Sequence, residues 1–254
     1  MTFDAHAIFE AELSRRGVSF EREEEFVYKV EVGRWTVSAS LENVRRNAER
    51  ERDPLLIVRF VEQVLSFSGD HPSWEEARSL LFWAAESAST DFDDSVQFEV
   101  SDEVRRVLTL TDDVRSKITF VTPSMCDDWG VSVEDACAAA STNQDGLIDG
   151  IELETDGNGD PLETLGMIPV HPPYKASTIF ATSFKQLVQP ALGWPVLVVV
   201  PCRDFVYVIA EGSRLLGNLG TVVVNEFKNS GYPISTEVLR VSDDGIEAIG
   251  RFPT

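Results

Sequence analysis

The residues between Ser141 and Glu152 carry side-chain oxygen at intervals that suit a calcium ion. Ser141, Asn143 and Asp145 alternate, Gly146 follows, Ile148 is apolar, and Glu152 closes the segment. An EF-hand loop needs oxygen ligands at its first, third and fifth positions, glycine at the sixth for a sharp turn, and a bidentate glutamate at the twelfth. The spacing nominates Asn143, Asp145, Asp149 and Glu152 as metal ligands, with calcium as the ion. Two departures stand against it. Ser141 replaces the first carboxylate, and Thr155 to Pro161 is turn chemistry where a second helix should orient Glu152. A helix end, a turn and an alternating strand from Leu147 to Glu154 explain the same residues without a metal. Asp156, Asn158 and Asp160 begin a second alternation, but Pro161 fills the glycine slot and Met167 the twelfth.

Other chemistry is sparser. His6, His71 and His171 are far apart in sequence, and no zinc spacing accompanies them. Cys126, Cys137 and Cys202 form no Cys-x-x-Cys. A nucleophile built from Cys126 or Cys202 with His171 has no local support, and an inert buried thiol is the plainer reading. The nucleophile-elbow and phosphate-loop patterns are absent, so no catalytic or cofactor-binding residue is nominated. Gly217 and Gly220 lie in an expected helix and point to close packing. Asp91, Asp93 and Asp94 are acids of a linker-like stretch.

The charge is located. The chain has 254 residues, 43 acidic and 22 basic side chains, and a net charge of −21. Residues 118–174 contain eleven acids and no lysine or arginine, while residues 175–254 balance at seven of each. Such a surface repels nucleic acid and anionic membranes. It is either a solubilising surface, a cation site, or a face for a basic protein partner. Asp127, Asp128, Glu154, Asp156 and Asp160 are the candidate partner-binding residues.

The elements that must position these residues follow from periodicity. Helices are expected over residues 3–16, from Asp53-Pro54 through Val64, from Ser132 to Ala140, over 174–188 up to a stop at Pro190, and over about 212–229. Strands are expected in a hairpin around Gly33, then at 79–86 after a Ser73–Glu76 capping box, and at 96–100, 104–110 and 117–122. Further strands are expected at 165–170, at 196–200 with 205–210, and at 234–241 with 246–252. Adjacent strands on short turns imply an α+β fold of antiparallel sheets with packed helices, in recurring helix–strand–strand units. The length fits one large domain or two lobes, about 1–115 and 116–254, and Ser87 to Asp94 is the most linker-like stretch. No apolar run reaches the roughly 18–20 residues of a membrane helix. The first residues lack a signal-peptide pattern, and three cysteines without pairing spacing fit a reducing cytosol.

Several short motifs resemble a known family. Val200-Pro201-Cys202-Arg203-Asp204 sits between two apolar strands, and Ser230-Gly231-Tyr232-Pro233-Ile234-Ser235 leads into a closing hairpin. With Asp128-Trp129, Ala138-Ala139, Asn143 and Ala176-Ser177-x-Ile179, these make the chain similar to the YtpQ-like bacterial proteins, domain of unknown function 1444. The resemblance implies a cytosolic bacterial α+β protein and supplies no catalytic residues. It also implies that the segment after the 132–140 helix runs into a strand. The expected function is a non-enzymatic binding or regulatory protein with an acidic face. A calcium-binding protein using residues 141–160 and a hydrolase with an unrecognised site are the alternatives.

Overall fold

A computed structural model describes the chain apart from residues 1–3, 34, 67–71, 91, 93, 112–117, 157–158 and 171–172. His71, His171, Asp91, Asp93 and Asn158 lie outside the described residues. The chain divides into two compact units: residues 1–71 with 229–232, and residues 72–228 with 233–254.

The first unit begins with α1 (Ala5–Arg15), capped by Asp4, whose carboxylate accepts from Ala7 N. Three antiparallel strands follow, β1 (Phe20–Arg22), β2 (Val27–Val32) and β3 (Trp35–Ser40), then α2 (Glu42–Glu51) and α3 (Leu55–Leu65). Gly33 turns the β2–β3 hairpin at a positive φ that a side chain would strain. Phe9, Leu13, Tyr28, Val30, Leu41, Ile57 and Val61 form its core. Helix α2 escapes the periodicity reading because it buries only Ala48. Its surface is instead stitched by Glu42–Arg46 and Arg45–Glu49, ion pairs one helical turn apart.

The second unit starts with α4 (Trp74–Ala77), set by the expected Ser73–Glu76 capping box. Strands β4 (Leu81–Ser87), β5 (Gln97–Glu99), β6 (Val104–Thr111) and β7 (Ile118–Phe120) make one antiparallel sheet. In it β6 is central, with β4 on one side and β5 and β7 on the other. Helices α5 (Pro123–Trp129) and α6 (Val133–Ile148) follow, then β8 (Glu154–Thr155), a 3-10 turn at Pro161–Glu163, β9 (Leu165–Met167), and a second 3-10 turn at Ala176–Phe180. The chain ends with α7 (Phe184–Leu192), β10 (Val196–Cys202), β11 (Phe205–Ala210), α8 (Leu216–Asn229), β12 (Glu237–Ser242) and β13 (Gly245–Arg251). These last strands form a six-stranded antiparallel sheet in the order β13-β12-β10-β11-β9-β8. The fold is α+β with three antiparallel sheets, as expected. Among the described residues no helix is long and apolar enough to cross a membrane.

Three expectations change. The division falls near residue 71, not near 115, because Leu81, Trp83 and Leu108 share one apolar core with Val196, Val198 and Leu239. A linker-like composition at Ser87–Asp94 therefore lies inside a unit. Helix α6 runs to Ile148 and absorbs the start of the strand expected from Leu147 to Glu154. Ala136, Ala140, Gln144 and Ile148 repeat every four residues on its buried face, and Gly146 falls on the exposed side. The helix expected over 174–188 is a 3-10 turn at Ala176–Phe180 followed by α7 from Phe184, and Pro190 does not stop α7 but sits in its last turn, with Gly193 N bonding to Gln189 O beyond it.

Candidate functional site

Asn143 and Asp145 lie within α6, so the twelve-residue calcium loop is not formed. A helical backbone points residues 141, 143 and 145 around the cylinder instead of toward one centre. Their polar atoms are spent elsewhere. Asn143 Nδ2 donates to the carbonyls of Arg78 and Leu81, both at 2.8 Å. The neighbouring Gln144 is wholly buried; its Oε1 accepts from Trp83 N and its Nε2 donates to Ser177 O at 2.9 Å. Among the described residues strand β4 pairs only with β6, so Leu81 O and Trp83 N belong to its outer edge. The pair Asn143–Gln144 closes that edge from the helix, replacing a missing strand.

Asp145 holds the start of α7. Its carboxylate accepts from Thr182 Oγ1 at 2.5 Å and from Ser183 N and Oγ at 3.0 Å. Burial pushes its carboxyl up, but these three donors outweigh burial and hold it below the usual range. The group therefore adds stability that is fully present above the unfolded Asp value of about 3.9 and is lost as pH falls through the folded one. Asp145→Ala is expected to cost about 2–3 kcal/mol in denaturant unfolding, equally with calcium or with chelator. A larger loss in calcium than in chelator would restore the metal reading. Asp149 and Glu152, the other two nominated ligands, are exposed beyond the helix end. Among the described residues no group of three or more His, Cys, Asp or Glu is gathered to hold a metal ion.

The candidate partner-binding acids divide. Asp156 accepts from Leu165 N at 2.9 Å, and Asp160 caps the first 3-10 turn and reaches Arg214 at 3.6 Å. Both shape the β8–β9 connection. Asp127 and Asp128 end α5, Glu154 lies in β8, and all three are exposed.

The thiols are not poised for nucleophilic work. Burial pushes Cys126 up, with Asp127 adding to it, and burial likewise raises Cys137 against a pull from Arg106. Cys202 is buried at the end of β10. His6 belongs to a chain that sequence spacing hides: its Nδ1 meets Tyr28 Oη at 2.9 Å, and Tyr28 donates to Glu10 Oε1 at 2.7 Å. This fastens α1 to β2 across the core of the first unit. The close-packing reading holds at Gly220, where a Cβ would meet the Phe252 ring at 3.1 Å, and fails at Gly217, where a Cβ would meet nothing within 4 Å.

Two further features carry unusual chemistry. Glu86 on β4 is buried with Arg203, from the β10–β11 turn, at 2.5 Å from its Oε1. Burial pushes Glu86 up and Arg203 opposes it. Arg106 on β6 has its guanidinium carbon 4.4 Å from the Trp83 ring centre, 5.2 Å from Phe98 and 5.9 Å from Phe180. Neither was legible beforehand, because each is assembled from residues distant in sequence and no spacing rule links them. An arginine breaking an apolar strand row was the one available signal for Arg106. A cavity of about 250 Å³ also opens between α7 and β12–β13, floored by Ile179, Phe184 and Ile246 and edged by Lys185, Trp194 and Asp243. Lys185 and Trp194 both donate to Asp243 there, so its polar edge is already satisfied.

Comparison with protein-family models gives no match, and neither the curated proteins nor the solved structures contain one.

Proposed function

We propose that this chain is a binding or regulatory protein that meets a basic protein partner through the acids of residues 118–174. One observation carries the reading. Asp127, Asp128, Glu134, Asp149, Glu152 and Glu154 are exposed, and among the described residues none of them has an ion pair or side-chain hydrogen bond. Several acids elsewhere are matched in place, Glu12 by Arg15 and Arg16, Glu49 by Arg45, and Glu211 and Glu247 by Arg240, while others such as Glu99, Asp102 and Asp244 are exposed without a match among the described residues but lie among basic residues in sequence. Unmatched carboxylates of one sign set up a field that attracts a basic surface, raises its rate of association and rejects acidic competitors. Nucleic acid and anionic lipid are repelled by the same field. The chain is read as a cytosolic relative of the YtpQ-like bacterial proteins. The Pro201–Asp204 hairpin, the Gly231–Ser235 segment and three free cysteines support that placement.

The test is capture from the native cell by wild type and by a variant with those six acids changed to Asn or Gln. A partner held at about 50 mM salt should be released at about 500 mM and lost by the variant. The variant should keep or gain stability, because it removes like-charge repulsion. Capture that ignores both salt and the substitutions sinks the proposal, as does no capture at all.

A further inference from the structure

We propose that Arg106 is the anchor of a binding site for a small aromatic or apolar monocarboxylate, walled by Trp83, Phe98 and Phe180. The site is independent of the acidic surface discussed above. The placement of Arg106 is the first observation. Along β6, Val104, Leu108 and Leu110 turn one row of side chains into the apolar core. Alternation along a strand places Arg106 in the same row. An arginine in such a row is costly unless something compensates its charge.

The second observation is the missing counter-ion. The chain has 43 acidic side chains, yet among the described residues Arg106 has no ion pair and no hydrogen bond. Its contacts are the three ring faces and edges already described. Neighbouring Arg105, on the other face, donates to Gln97 Oε1, and Arg203 meets Glu86. Burial disfavours the charged form of Arg106, opposed by the thiol Cys137 and by no carboxylate among the described residues. The rings hold the guanidinium by cation–π attraction; Arg106 is half-buried, and its planar fork of N–H donors has no protein partner among the described residues and lies within reach of solvent.

The third observation is the construction of the walls. Trp83 is locked, with Nε1 donating to Ser141 Oγ at 3.0 Å. Phe98 stands edge-on to it at 5.8 Å, directly across from Arg106 in the β5–β6 register. Phe98 is also 43% exposed on an edge strand, so solvent reaches the site past this ring. One rigid wall, one open wall and one unpaired fork make a receptor for a flat group with a single carboxylate. A single guanidinium matches one negative charge in bidentate geometry. A phosphate dianion would remain half neutralised within a chain of net charge −21.

Benzoate is the probe, with benzamide as its uncharged isostere and phenyl phosphate as the dianion. The readout is the indole N–H resonance of Trp83, identified by its loss in Trp83→Phe. Benzoate should shift it saturably with a dissociation constant of about a millimolar or below. Benzamide should leave it in place, and phenyl phosphate should bind more weakly than benzoate. Arg106→Gln should weaken benzoate at least about tenfold. Phe98→Ala should weaken it about three- to tenfold, and this exposed ring can be truncated even if Arg106→Gln does not fold. The proposal is overturned by no saturable shift at about 10 mM benzoate, a range that would expose even a very weak site. Equal binding of benzamide, tighter binding of phenyl phosphate, or unchanged benzoate affinity in Phe98→Ala each overturns it too.

Discussion

Arg203→Met should destabilise the second unit by about 3–5 kcal/mol, because it strands a buried carboxylate. Glu86 keeps 7% of its side chain exposed and Arg203 15%, so water cannot replace the lost partner. Glu86→Gln combined with Arg203→Met should recover most of that loss, since no uncompensated charge remains. The pH dependence gives a second, sign-specific check. Burial raises Glu86 above its usual range while Arg203 pulls it back. An unfolded glutamate titrates near about 4.3, so the folded state holds its proton to higher pH than the unfolded chain does. Stability from this group therefore falls as pH rises from the unfolded value through the folded one. Removing Arg203 extends that window upward. The single variant should be closest to wild type in mild acid and furthest from it in mild base, whereas the double variant should show no such trend. Tryptophan fluorescence in denaturant reads this well, because Trp74, Trp83, Trp129 and Trp194 lie in the second unit and only Trp35 in the first. A pH-independent loss would show that Glu86 stays ionised without its arginine.

Gln144→Leu is expected to cost roughly 2–4 kcal/mol by orphaning two buried peptide groups, Trp83 N–H and Ser177 C=O. Leucine is close to glutamine in size, so the loss reports on hydrogen bonding and not on a cavity. Asn143→Leu should cost less, about 1–2 kcal/mol, because the Arg78 carbonyl it serves is accessible to water. The two together uncover the outer edge of β4, an almost wholly buried strand of sequence Leu81-Phe82-Trp83-Ala84-Ala85-Glu86-Ser87. An apolar strand with free edge groups is a template for pairing with another chain. The double variant should therefore associate with itself in sedimentation at concentrations where wild type does not. If it stays a well-folded monomer of wild-type stability, the edge-closing role assigned to α6 is wrong.

The segment Ser141–Glu152 marks where local spacing stops being informative. Oxygen-bearing residues at alternate positions fit a metal loop and a helix surface equally well, because both need polar side chains at short intervals. The choice was made by the four-residue repeat of Ala136, Ala140, Gln144 and Ile148, which is a packing signal. Short apolar runs posed the opposite problem. The strands around Tyr28, Trp83, Leu108, Val198 and Leu239 were legible because burying a sheet face forces alternation or an apolar run on the chain. Helix α2, held by surface ion pairs with one buried alanine, imposes no such pattern.

The amino-acid sequence by itself determined the α+β class, most strand pairs and the concentration of acid in residues 118–174. Those properties depend on neighbours a few residues apart, where turn chemistry and side-chain periodicity act. Only the tertiary structure decided where the units divide, that Asn143 and Gln144 close a sheet edge, and which charges are left unmatched. Glu86 finds Arg203, while Arg106 finds three aromatic rings and no acid. Burial sets the cost of each such charge, and burial is a property of residues brought together across the whole fold.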